Sequence, residues 1–215
     1  MKKLLAGLMV AALAGVASAA VFSQNAVGFI NVEIGAEELV CLTIPFNNMD
    51  ADDGNWTFKD TQLAADAPTG SYVYFWQNSA WRGVSKGRNG FATDKVLQPG
   101  EAFFFQPSKA MTVTLSGEVP DDATLPVAIV GAGNLTASGN PYPVPAMFKD
   151  TALATEAGTG SYVYFWYDGA WHGVNKGRNG FATDYEVQPG EGFFFQTRAA
   201  DDSTEWTVEK PYDFP

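Results

Sequence analysis

FKDTQLAADAPTGSYVYFWQNSAWRGVSKGRNGFATDKVLQPGEAFFFQ, residues 58–106, is written again at residues 148–196 as FKDTALATEAGTGSYVYFWYDGAWHGVNKGRNGFATDYEVQPGEGFFFQ. The two stretches agree at 36 of 49 positions without a gap. Self-similarity this close makes the chain two copies of one structural unit. Within the block the signals are those of strands and turns. In an extended strand Tyr72, Tyr74 and Trp76 share one face, and Val73 and Phe75 the other. Phe103 and Phe105 likewise oppose Phe104. Strands that are apolar on both faces need cover on both. The only helical hints are 59–67 and its copy 149–157, so the cover must be another sheet, the other unit or a ligand.

The turn chemistry agrees with this reading. Asn78-Ser79 and Asp168-Gly169 read as two-residue hairpin turns. Gln98-Pro99-Gly100-Glu101 and its copy at 188–191 read as type II turns, with Pro at the second position and Gly at the third. Within the block residues 71–77, 80–84 and 101–106, and outside it residues 26–34, 38–46 and 111–119, are the strand candidates. Upstream, Ile34-Gly35-Ala36, Leu39 and Pro45-Phe46 match Val130-Gly131-Ala132, Leu135 and Pro141-Tyr142. Extra loop around 49–56 absorbs the difference in length. The expected fold is all-β: two tandem homologous units, each an antiparallel β-sandwich or small barrel, with pseudo-two-fold symmetry. Unit one spans 20–120 and unit two 121–215. Their joint, GEVPDDAT at 117–124, has no Gly/Ser tract, so the units should pack together.

Residues 1–19 form a separate segment. Lys2 and Lys3 precede an apolar run that ends in Ala17-Ser18-Ala19, the form of a secretory signal. The run is short for a membrane span. The product is therefore expected to be secreted (periplasmic, cell-surface or extracellular), with no membrane insertion in its mature form. The chain's net charge of −11 repels phosphate backbones and argues against nucleic acid. Cys41 is the one cysteine, so no internal disulfide forms. It lies in the apolar run LVCLTIPF and reads as a buried small hydrophobe. A Cys–His nucleophile shared by both units is excluded, because the one histidine, His172, is Arg82 in the other copy.

The order of motifs is similar to a β-rich unit found in many exported bacterial proteins of unassigned activity. In those, a "G-x-NLI-x-x-P" strand precedes a "vyxWd" hairpin and a "LxPGxGYWV"-like strand. The matching stretches here are 35–46, 72–76 and 97–105, and TVTLSGEVP resembles the junction between tandem units. Phe103-Phe104-Phe105 departs from the usual Tyr-Trp. The resemblance implies an accessory or surface role and carries no catalytic residue across.

Three features are candidates for chemistry. The aromatic hairpin, with Trp81 and Trp171 across its turns, is either core or a platform for stacking sugar rings. KGRNGFATD, at 86–94 and 176–184, is unchanged between copies. As a structural loop it would use Gly87 and Gly90 at positive φ, with Arg88 paired to Asp94 or to a backbone carbonyl. As a functional loop it would set Arg88, Asn89 and Asp94, and Arg178, Asn179 and Asp184, beside the tryptophans to bond sugar hydroxyls. Asp50, Asp52 and Asp53 resemble a calcium loop, one residue short of the usual spacing and without its closing Glu. Its alternative is a solvated turn, and no other cofactor is indicated. Glu101 and Glu191, the acids a glycoside hydrolase would need, follow turn glycines and are expected to bond the turn backbone. The favoured reading is an exported non-enzymatic surface or extracellular-matrix protein acting by contact or assembly. Its partner would be a protein or glycan at the cell surface, with self-association as one form of contact. The alternative is a carbohydrate-binding protein with one aromatic site per repeat, and a glycoside hydrolase ranks third.

Overall fold

The computed structural model describes residues 26–198, 200–201 and 204–213. The signal-like segment 1–19 lies outside the described residues. Unit one runs β1 (Val27–Ile34), β2 (Val40–Thr43), β3 (Trp56–Thr57), a 3-10 turn (Phe58–Asp60) and α1 (Gln62–Asp66). It continues with β4 (Tyr72–Gln77), β5 (Ala80–Gly87), β6 (Gly90–Phe91), β7 (Val96–Leu97), β8 (Ala102–Gln106) and β9 (Met111–Glu118). Unit two repeats the order. It has β10 (Thr124–Ile129), β11 (Leu135–Gly139), β12 (Ala146–Met147), a 3-10 turn (Phe148–Asp150) and α2 (Ala152–Glu156). Then follow β13 (Tyr162–Tyr167), β14 (Ala170–Gly177), β15 (Gly180–Phe181), β16 (Glu186–Val187), β17 (Gly192–Gln196) and β18 (Thr204–Glu209).

Each unit has an open five-stranded antiparallel sheet, ordered β2-β8-β4-β5-β6 in one and β11-β17-β13-β14-β15 in the other. Neither closes into a barrel, so the sandwich form of the expectation holds. The first and last strands of each unit pair as a separate ribbon, β1 with β9 and β10 with β18. The unit core lies between sheet and ribbon. Phe58 fills it edge-on to Phe75, Phe91 and Phe103, with ring centroids 5.3, 5.0 and 5.7 Å away. Phe148 repeats the arrangement with Phe165, Phe181 and Phe193. Ile34, Val113 and Leu115 close unit one's core from the ribbon side.

The other face of each sheet is covered by the other unit. Phe104 and Phe194 sit in a shared cluster with Cys41, Ala102 and Ala137, flanked by the hairpin Tyr and Trp rings. Trp76 and Trp81 pack edge-on to Phe194, and Trp166 and Trp171 to Phe104. Hydrogen bonds cross in reciprocal pairs. The Trp76 indole donates to the Leu135 carbonyl at 2.9 Å, and Trp166 to that of Leu39 at 2.7 Å. Leu42 bridges Glu191, and Ser138 bridges Glu101. These reciprocal contacts are the pseudo-two-fold axis.

Several local expectations shift. The candidate strand 38–46 shortens to β2. β5 reaches Gly87, because Lys86-Gly87 pairs with Gly90-Phe91, so KGRNGFATD is half hairpin and not a free loop. Its tip, Arg88-Asn89, is closed by Gly90 at φ +92°, while Gly87 has no positive φ. The match of Ile34 to Val130 does not hold in the structure: Ile34 is 2% exposed inside its unit, whereas Val130 is 46% exposed.

Candidate functional site

Most of the block that is invariant between copies works inside the fold. The Lys86 ammonium caps α1 by donating to the Ala64 and Ala65 carbonyls at 2.8 and 2.9 Å. Lys176 does the same for α2. Asp94 Oδ1 accepts from the backbone N–H of Lys59 and of Lys95, tying the loop to the 3-10 turn. Asp184 holds Lys149 and Tyr185 in the same way. Asp94 therefore has no pairing with Arg88. The expected sugar-site residues do not come together. Trp81 and Arg88 lie at opposite ends of the same strand line, seven residues or about 23 Å apart at ~3.3 Å per residue. Arg88, Asn89, Arg178 and Asn179 are exposed hairpin tips. Trp81 is half-buried in the joint, and Trp171 is 38% exposed at the equivalent place.

Around Asp50, Asp52 and Asp53 the carboxylates do not converge. Asp53 accepts from the Asn55 backbone and side-chain N–H groups, which holds its carboxyl below the usual range. The Asp50 N–H donates to Asn48. Among the described residues no group of three His, Cys, Asp or Glu side chains is placed to hold a metal. Cys41 is buried, and desolvation, then the nearby Glu191, push its thiol far above the ordinary value. Glu101 and Glu191 accept from the Gln98 and Gln188 N–H across their own turns, as their position after the turn glycines implied. The turns are type II, with Gly100 at φ +68° and Gly190 at +82°.

The joint between units leaves two grooves related by the same axis. One, of about 780 Å³, lies between Asn31, Val32, Glu33 and the Glu37–Glu38 turn of unit one and Trp166–Gly169, Tyr185 and Gln188–Glu191 of unit two. The other, of about 540 Å³, is walled by the equivalent Trp76, Asn78, Ser79, Lys95, Gln98 and Glu101 of unit one and Val127, Ala128 and Leu135 of unit two. The copies differ here. In the smaller groove Lys95 pairs with Glu101. In the larger one Tyr185 stands in place of Lys95 and its hydroxyl donates to Glu191. Tyr167 stacks on His172 at 3.6 Å and on Tyr185 at 5.5 Å, and Tyr185 stacks on Phe165 at 4.2 Å. The first-copy counterparts of Tyr167, His172 and Tyr185 are Gln77, Arg82 and Lys95. Three positions that differ between copies thus build one aromatic column.

Much of what the two copies keep is what one fold needs, as the bonds of Lys86, Asp94 and Glu101 show. The drift between copies gathers elsewhere: positions 167, 168, 169, 172 and 185 all differ from their partners and all lie at or beside one groove. No helix among the described residues is long and apolar enough to cross a membrane. Compared with family models, curated proteins and solved structures, the chain finds no match.

Proposed function

We propose that this chain is an exported, non-enzymatic protein of the cell surface or extracellular matrix that acts by contact with another macromolecule. The observation that carries the reading is the pair of grooves at the joint. Each is walled by both units, so its shape depends on the duplication, and the polar residues invariant in the repeat serve mainly to hold that shape. Glu101, Glu191, Asp94 and Asp184 are bonded to their own turns and loops, an arrangement suited to scaffolding. The carbohydrate alternative loses support because its tryptophans are spent in the joint and lie far from the Arg-Asn tips.

Fractionation of cells expressing the full chain, followed by N-terminal sequencing of the product, tests export. Retention at the cell surface or in matrix, together with light scattering over a wide concentration range, tests contact. The expected product lacks residues 1–19 and is retained with the envelope or matrix, or rises in mass with concentration. A product that stays inside the cell, or a strict monomer that is freely released, would overturn the reading.

A further inference from the structure

We infer that the larger groove takes an extended, basic peptide segment, which adds as a strand to the free edge of β1. The inference deepens the contact reading by giving the partner's chemistry. Its test, however, uses a synthetic probe and depends on neither export nor adhesion.

The edge comes first. The Val119 N–H donates to the Ala26 carbonyl at 2.7 Å, and β1 pairs β9 in unbroken antiparallel register from Val27↔Glu118 to Ile34↔Met111. Hydrogen-bonded pairs alternate in such a ladder. The even residues of β1 therefore bond β9, and the N–H and C=O groups of Val27, Phe29, Asn31 and Glu33 point to the other edge. Those backbone groups have no partner among the described residues. An unpaired row of this kind is a template for an incoming strand. Proteins commonly block it with proline or lysine, and β1 has neither.

Unit two supplies the contrast. The Lys210 N–H donates to the Ala123 carbonyl, which directs the groups of Thr124, Pro126 and Ala128 to the free edge of β10. Pro126 is the middle one of these three residues. It removes the central donor of that edge. Duplication has left one edge open and the other blocked.

The groove decides what would be taken. Asn31 and Glu33 of the open edge line it, together with Glu37, Glu38, Asp168 and Glu191, and no Lys or Arg does. The smaller groove has one acid, Glu101, neutralised by Lys95. The larger groove therefore concentrates negative field between low-dielectric walls, which attracts cationic side chains. Beyond the groove the same edge carries Val27 and Phe29, 64% and 68% exposed, for an apolar residue of the added strand. Self-pairing fits less well, because a second copy brings its own net negative charge.

The probe is an acetylated, amidated alternating octapeptide, (Lys-Val)4, titrated by isothermal calorimetry against the full chain in moderate salt. Saturable binding is expected, and it should weaken at least tenfold in Asn31→Pro, which copies unit two's edge. Circular dichroism and the unfolding midpoint report folding of the variant, for which Pro126 is the internal precedent. The companion variant Ala128→Pro on the blocked edge should bind as the parent does. Alternate N-methylation of the peptide keeps its charge, and methylation in one parity only should abolish binding. Glu33→Gln/Asp168→Asn should weaken it severalfold. Equal binding by both methylated peptides, undiminished binding by folded Asn31→Pro, or no saturable binding would overturn the inference. So would a groove that takes a neutral oligosaccharide and not the peptide. Retention of Asn31→Pro at the cell surface despite lost peptide binding would support the edge site and assign adhesion to another surface.

Discussion

Ser138 sits at the joint, opposite Glu101, with its hydroxyl fully buried and without a hydrogen-bond partner. Its counterpart in the first copy is Leu42, which has no polar atom to strand. A buried polar group left unmade costs on the order of 1–3 kcal/mol, while losing one oxygen leaves only a small void. Ser138→Ala is therefore expected to raise stability by about 1 kcal/mol in urea denaturation, and a loss of stability would contradict the burial account. Glu191 carries a different signal. Burial pushes its carboxyl above the ordinary glutamate value, and the bonds from Tyr185 and Gln188 pull it partway back. The folded protein then holds this proton to higher pH than the unfolded chain. The contribution to stability is present below the unfolded pKa and is lost as pH rises through the raised folded one. Glu191→Gln should flatten that part of the pH–stability curve, measured as urea midpoints through and above the carboxylate range. An unchanged slope would show that the proton is not held by burial.

At the scale of elements, the hairpin between β4 and β5 is informative because its two copies solve one turn differently. Asn78 and Ser79 have φ of +50° and +58°, and Asp168 and Gly169 have +52° and +69°. Both are turns of the I′ form, whose twist matches the strands they join. A serine in this left-handed region costs ~1–2 kcal/mol, while a glycine adds about 0.5–1 kcal/mol of unfolded-chain entropy. The first effect wins. Ser79→Gly should stabilise by roughly 0.5–1 kcal/mol, and Gly169→Ser should destabilise by a similar amount, both read by thermal unfolding. If Ser79→Gly lowered the midpoint, the turn would not hold this geometry in solution. The turn residues and the two-residue period make β4, β5, β8 and the type II turns legible in the sequence. The split of 59–67 into a 3-10 turn and α1, and the pairing inside KGRNGFATD, were not legible. Both depend on where Phe58 and Lys86 find partners in three dimensions: a ring cluster and two helix carbonyls.

For the whole molecule, the sequence posed the question of what covers the second aromatic face, and the answer is the other copy. The sequence left another sheet, the other unit and a ligand open, and the packing of Phe104 and Phe194 with the opposite hairpin tryptophans decides between them. The grooves did not follow, because they exist only where two units meet out of register with the chain. The axis itself makes a demand that identical halves cannot meet. Equivalent residues approach across it: a Cβ on Gly192 would lie 2.6 Å from the Ala102 Cβ and 2.8 Å from the Cys41 sulfur, and one on Gly139 would lie 2.6 Å from Thr43 Cγ2. In each pair one copy keeps a side chain and its counterpart is glycine, so the joint closes only because the copies differ there. Gly192→Ala forces sheet against sheet and should cost about 1–3 kcal/mol. Ala102→Gly alone should cost ~1 kcal/mol, from a glycine placed in a strand. Combined, they move the side chain to the opposite wall, and the double variant should be more stable than the sum of the two losses. Adding Cys41→Ala removes the remaining clash and should recover more. Guanidinium unfolding of the single, double and triple variants measures this coupling. Strictly additive losses would mean that Ala102 and Gly192 do not meet, and with that the two units would not share the axis described.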